Sequence, residues 1–239
     1  MLGQFLEVSV STADIRASVE FYESLGFSQC STTDIWSHPY GVLTDGRLHI
    51  GLHQYRFASP ALTFVLPDIA RHAANITDLG IELAFSRTGD ASFNEIGFYD
   101  PFGQMITILE ARTFSRSARS APQTSHCGWF AEFSIPSSDF ARSTTFWQRL
   151  GFIALEEDGG NATAAVLVRD GLSLALHRSR TEDRPMLVFR DATMRERLTQ
   201  LRSREFVFSG ALPRGLDSAA NGMLESPEGL PLLLLEETS

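Results

Sequence analysis

Cysteine is nearly missing. Cys30 and Cys127 are the only two among 239 residues. They provide no disulfide framework and no metal-ligand spacing. Positive charge is also short: Lys and Arg number 20 against 29 acidic residues, a formal net charge of -9. Phosphate binding needs clustered cations, so no nucleic-acid partner is expected. Long apolar runs are absent too. The longest, Leu230 to Leu235, is far too short to span a bilayer, so no membrane partner is expected. No leader is visible, because Met1 runs almost at once into the strand-like Phe5-Leu6-Glu7-Val8-Ser9-Val10; a cytoplasmic chain is the default expectation. What remains is ordinary globular material. Hydrophobic content of 43% and charged content of 21% suffice for a buried core.

An internal repeat organises that material. Phe21-Tyr-Glu-Ser-Leu-Gly-Phe27 recurs as Phe146-Trp-Gln-Arg-Leu-Gly-Phe152. Asp45-Gly46 with Leu48-His-Ile-Gly-Leu-His53 recurs as Asp170-Gly171 with Leu172-Ser-Leu-Ala-Leu-His177. Asp100-Pro-Phe-Gly103 recurs as Ser226-Pro-Glu-Gly229. Two similar halves are therefore expected, residues 1–112 and 127–239. The stretch 113–126, rich in Ser, Arg and Pro and without periodicity, reads as a linker.

Each half repeats internally. Asp14 precedes Gly26, Asp68 precedes Gly80 and Asp139 precedes Gly151 by the same interval; in the fourth copy Asp191 precedes Ser203, so the glycine is lost. Each Asp can cap a helix start and each Gly can end it in the left-handed conformation. Ile15, Val19 and Tyr22 mark one face of such a helix. The predicted unit is a strand, a helix, then two or three strands, four times over.

Alternation assigns the strand faces. Leu6, Val8 and Val10 share one face, opposite Glu7 and Ser9. Ile50 and Leu52 oppose His49 and His53. Ile106 and Ile108 oppose Thr107. A sheet covered by helices on one side buries its aliphatic face there. The other face, with Glu7, Ser9, His49, His53 and Thr107, is left to line a concavity. The second half supplies Glu132, Ser134, Ser173 and His177, but its final strand offers Leu233.

The order, spacing and duplication of these motifs resemble the vicinal-oxygen-chelate superfamily, which includes glyoxalase I, bleomycin-binding proteins and extradiol dioxygenases. Glu7 to Tyr22 looks like its opening strand and helix. Asp100-Pro-Phe-Gly103 with the strand after it looks like its closing turn and strand. The resemblance implies an α+β fold: four βαβββ modules in two tandem glyoxalase/bleomycin-resistance-like domains, with cups facing a shared interior. It also implies metal ligands at first and closing strands. Glu7 and Glu132 are competent there. Thr107 is not a plausible ligand, Leu233 cannot be one, and the inner modules offer Ala61 and Arg184. The triad is thus broken in both halves.

The leading expectation is a small-molecule-binding protein with a degenerate metal site, taking an apolar or aromatic molecule on Glu7, Ser9, His49, His53, Thr107, Glu132 and His177. No cofactor is favoured and no catalytic residue is assigned. The alternative is a divalent-metal-dependent lyase, isomerase or dioxygenase that holds Zn, Fe, Mn or Ni in the first domain on Glu7, His49 and His53, a set suited to such ions. Each feature has a plainer reading. The glutamates can be solvated or paired with Arg, and the histidines exposed near a strand end. Phe64, Phe93, Phe98, Phe130 and Phe133 can be core rather than pocket wall. His38, His72 and His126 read as loop, helix-surface and linker residues. A homodimer is compatible with all of this.

Overall fold

The computed structural model describes residues 2–31, 36–89, 94–110, 125–155, 164–178, 183–209, 212–213 and 215–237. The expected linker therefore lies outside the described residues except for Ser125 and His126. No described helix is long and apolar enough to cross a membrane.

The first half runs β1 (Gln4–Ser11), α1 (Ile15–Ser24), β2 (Ser28–Cys30), β3 (Tyr40–Thr44), β4 (His49–His53), then β5 (Ala61–Leu66), α2 (Ile69–Asp78), β6 (Leu83–Arg87), β7 (Glu95–Tyr99) and β8 (Met105–Glu110). These strands form one sheet in the order β2-β3-β4-β1-β5-β8-β7-β6. Two βαβββ modules meet at its centre, where β1 and β5 pair antiparallel. The second half repeats the plan: β9 (Trp129–Pro136), α3 (Phe140–Arg149), β10 (Ile153–Leu155), β11 (Ala164–Arg169), β12 (Leu172–His177), β13 (Met186–Asp191), α4 (Met194–Ser203), β14 (Gly222–Glu225) and β15 (Pro231–Glu236). Its sheet order is β10-β11-β12-β9-β13-β15-β14. The fourth module has two strands after its helix among the described residues, β14 and β15, where each of the others has three.

Helix boundaries follow the Asp–Gly spacing in three copies out of four. Asp14 Oδ1 accepts from the backbone N–H of Arg16 and Ala17, and Asp139 Oδ1 from Arg142. Gly26, Gly80 and Gly151 follow the caps with φ of 88°, 73° and 97°. Asp68 differs from expectation: it precedes α2 but makes no side-chain cap. Glu110 Oε1, at the end of β8, accepts from Ile69 N–H instead. The fourth copy needs a correction of two residues. Thr193, not Asp191, is the N-cap, and Asp191 receives the N–H and hydroxyl of Thr193. The position that glycine holds elsewhere is then Glu205, with φ 65°. A side chain there works against the left-handed backbone. Glu205→Gly should therefore raise stability by about 1 kcal/mol, read as a higher urea midpoint at unchanged slope. A lower midpoint would show that the exposed carboxylate does something the backbone argument misses.

One strand face also departs from simple alternation. The β1–β5 register shifts between Phe5 and Glu7, leaving Leu6 bulged. Phe5, Val8 and Val10 enter the core, and Leu6 does not. In β9 the same shift falls at Ala131, between Phe130 and Glu132. A bulge inserts one residue and reverses the parity behind it.

The core is continuous across both halves, on the helix-covered faces of the sheets. The ring of Phe27 meets that of Phe189 at 6.2 Å, and Phe21 meets Phe206 at the same distance. Phe64, Phe98, Phe130 and Phe133 belong to this core, and Phe93 lies outside the described residues. The contact between halves is reciprocal. On α3, Trp147 points its indole N–H toward the Asp100 carboxyl, in the closing turn of the first half, without reaching full hydrogen-bond geometry. On α1, the equivalent Tyr22 approaches Ser226, in the closing turn of the second. These turns are thus docking points as well as chain reversals. The shared interior lies between the helix-bearing faces, not between the cups as expected. Each sheet turns its other face away from that core.

Candidate functional site

On the outward face of the first sheet, β1, β4 and β5 bring together Glu7, Ser9, His53 and Thr63. Glu7 is 1% exposed. Its carboxylate lies over Gly51, the one position between His49 and His53 with no side chain on that face. Glu7 Oε1 accepts from the Ser9 hydroxyl at 2.8 Å and faces His53 Nε2 at 3.1 Å. Glu7 Oε2 accepts from the Tyr40 hydroxyl at 2.7 Å. Ser9 and Thr63 share a hydrogen bond of 2.7 Å between their hydroxyls. The other side of the His53 ring, Nδ1, faces His38 Nε2 at 3.0 Å. A buried charge is tolerated when it is paired and hydrogen-bonded, and Glu7 has three such partners.

Aromatic rings surround this chain. Tyr40, Trp36 and Phe57 lie 4.5, 4.9 and 5.6 Å from His53, centroid to centroid. Tyr55 stacks on His38 at 5.2 Å and 19°. Burial, and then the neighbouring His53, push the His38 pKa below its ordinary value of 6.5. Above these groups opens a cavity of about 690 Å³. Ser9, His38, His53, Thr63 and Thr107 are polar points on a wall that also carries Trp36, Tyr55, Phe57, Phe85, Met105 and Leu109. At one side Arg87 pairs with Glu95.

Of the seven residues expected to touch a ligand, Ser9, His53 and Thr107 line this cavity. Glu7 sits beneath it as a positioning group and is not part of the wall. His49 is half-buried at the start of β4, paired with Thr44, and does not line it. Glu132 and His177 belong to the other sheet. His38 and Thr63 were not anticipated. For His38 a signal existed: Trp36, His38 and Tyr40 alternate into β3, which puts three rings on one side.

The second cup is built differently at matched positions. Ser134 stands for Ser9, Val188 for Thr63, and Leu233 for Thr107. The inner first strand offers Met186 at this register; Arg184 precedes β13 and pairs with Glu225. Met186, Val188, Met223, Leu233 and Leu235 form an apolar cluster covered by Leu212 and Leu216. Ala175 stands where the first sheet has Gly51, so its methyl fills the carboxylate's place. Glu132 reaches Arg190 at 3.7 Å instead, and His177 Nδ1 bonds the Ser134 hydroxyl at 2.7 Å.

The first cup does not fit a divalent ion as the alternative reading required. Both oxygens of Glu7 and both ring nitrogens of His53 are engaged by protein groups, and His49 stands apart. Among the described residues no group of three His, Cys, Asp or Glu side chains is placed to hold a metal.

No family model matches the sequence, and neither does any curated protein. Solved structures do match. The homoprotocatechuate 2,3-dioxygenase of Brevibacterium fuscum aligns with 100% of this chain and 72% of its own, at TM-score 0.63 and 18% identity. That of Arthrobacter globiformis aligns at TM-score 0.63 and 17% identity, over 99% and 80%. A catechol 2,3-dioxygenase aligns at TM-score 0.61 and 14% identity, over 99% and 88%. The chain shares the fold of these dioxygenases, α+β with two sheets of βαβββ-like modules. At such identities the likeness is one of fold, and function must be argued from the site.

Proposed function

We propose that the chain binds a small apolar or aromatic molecule in the first cup, without a metal, and that its halves are two tandem domains of one ancestry. The observation that carries this reading is the asymmetry of the cups. One keeps a cavity with a few polar points on an aromatic wall, the usual make-up of a ligand site. The other fills the same place with Met and Leu. Thermal-shift screening of aromatic compounds, followed by calorimetry, tests it. Glu7→Gln should weaken binding by about tenfold, through loss of the order it imposes on His53 and Tyr40. Glu132→Gln should leave affinity unchanged. Equal effects would dismiss the one-cup reading.

The fold shared with named dioxygenases favours a second reading, a divalent-metal-dependent lyase, isomerase or dioxygenase. Metal analysis of protein purified without chelator or added metal separates the two. One tightly held ion per chain, lost in Glu7→Ala, would replace the binding reading with the enzymatic one.

A further inference from the structure

Where α1 meets the closing turn of the second half, a buried charge has no partner among the described residues. Both carboxylate oxygens of Glu228, in that turn, are shut off from solvent and make no hydrogen bond. The same is true of the hydroxyl of Tyr22, whose side chain is fully buried. Glu228 lies close enough for its charge to act on the Tyr22 hydroxyl, which also approaches the buried Ser226. The Ser226 oxygen accepts from Leu230 N–H and keeps a second lone pair. A buried polar atom without a partner is costly, and a buried charge without one costs more.

Protein cations are engaged elsewhere. Arg184 reaches the same turn but gives its guanidinium to Glu225 and to the Gly229 carbonyl. The reciprocal docking point shows the contrast. There α3 places Arg142 over Phe102, the residue that matches Glu228 in the repeat. The residue of α1 that matches Arg142 is Ala17. The carboxylate and the cation have thus fallen to opposite docking points.

We infer that this seam binds an alkali cation, Na+ or K+, on the Glu228 carboxylate and the hydroxyl oxygens of Tyr22 and Ser226. One carboxylate balances one positive charge. A divalent ion asks for more anionic oxygen than the turn supplies. A water molecule bridges such oxygens without neutralising the charge. Burial, and then Glu228, push the Tyr22 pKa up, so its oxygen serves as a neutral hydroxyl. The ion joins α1 of the first half to the closing turn of the second, and its supply sets how firmly the halves hold together.

Thermal unfolding of the full chain in NaCl, KCl and choline chloride, at equal ionic strength, tests the site. Choline screens charge but is too bulky for a buried seat. Native protein should melt about 3 °C higher with either alkali ion than with choline. Glu228→Gln keeps the shape, removes the charge and should melt alike in all three salts. In choline it should match or exceed native protein, since it buries no unpaired charge. Tyr22→Phe removes one ligand and should show a smaller shift; it decides the matter if Glu228→Gln does not fold. Native protein that melts alike in all three salts refutes the site. A full shift kept by either variant places the ion elsewhere and overturns the assignment. A Glu228→Gln less stable than native protein in choline also overturns it, because protein groups would then already satisfy the carboxylate.

Discussion

Gly51→Ala is expected to empty the first cup of its polar order and to destabilise the fold by about 3 kcal/mol, the scale for breaking a buried, hydrogen-bonded charge pair. A methyl carbon at that position would lie 1.9 Å from Glu7 Oε1 and 2.1 Å from its carboxyl carbon. The methyl cannot yield, so the carboxylate must leave Ser9, Tyr40 and His53. The molecule already contains the comparison. In the second sheet Ala175 fills the equivalent place, and Glu132 is found turned to Arg190. Ligand affinity should therefore fall with stability in Gly51→Ala. Glu7→Ala made in that background should cost little more, since the conflict is then gone. A double-mutant cycle by urea unfolding should show a coupling of about 2 kcal/mol between the two sites. Simple additivity would mean that Glu7 is not what the glycine makes room for.

Trp147→Ala should have the largest effect on stability, about 4 kcal/mol, because it removes a fully buried indole from the core shared by both halves. The side chain packs edge-on against Phe146 at 5.6 Å and Phe152 at 5.0 Å and abuts the closing turn at Asp100. The substitution lies in α3, yet it should weaken the first half as much as the second. Fluorescence can follow this, since Trp36 and Trp129 report on different halves. Versions of the variant with either as the sole indole should unfold at one common, lowered midpoint. A first half that kept its original midpoint would contradict a continuous core.

Much of this was readable from the sequence, and the exceptions have physical causes. The α+β repeat was legible because strand–helix–strand periodicity survives drift at individual positions. Ser9, His53 and Thr107 followed from parity alone. Glu7 followed only in part: its place on the polar face was clear, but its distance from the cavity depends on the depth of β4 at Gly51. The bulge at Leu6 was invisible because one extra residue in a strand leaves composition and pattern almost unchanged. Asp191 misled because aspartate favours turns as well as caps, and it serves here by holding Thr193. His38 reads as a loop residue in the sequence. Its place on the cavity wall comes with a contact to a neighbour fifteen positions along the chain, His53. The difference between Gly51 and Ala175 stood in plain view in the aligned repeat, but its meaning required knowing which carboxylate lies above.

The reciprocal docking of helices and closing turns also sets an order for biogenesis. During translation α1 leaves the ribosome well before any of the second half exists. The turn at Ser226 that meets Tyr22 is made some two hundred residues later. The first half likewise has its turn at Asp100 before α3 exists to cover it. Until the second half is made, the first carries uncovered apolar surface, however strong its local repeats. Its final packing is therefore a late event, completed only when β15 closes the second sheet and both exchanges are made at once.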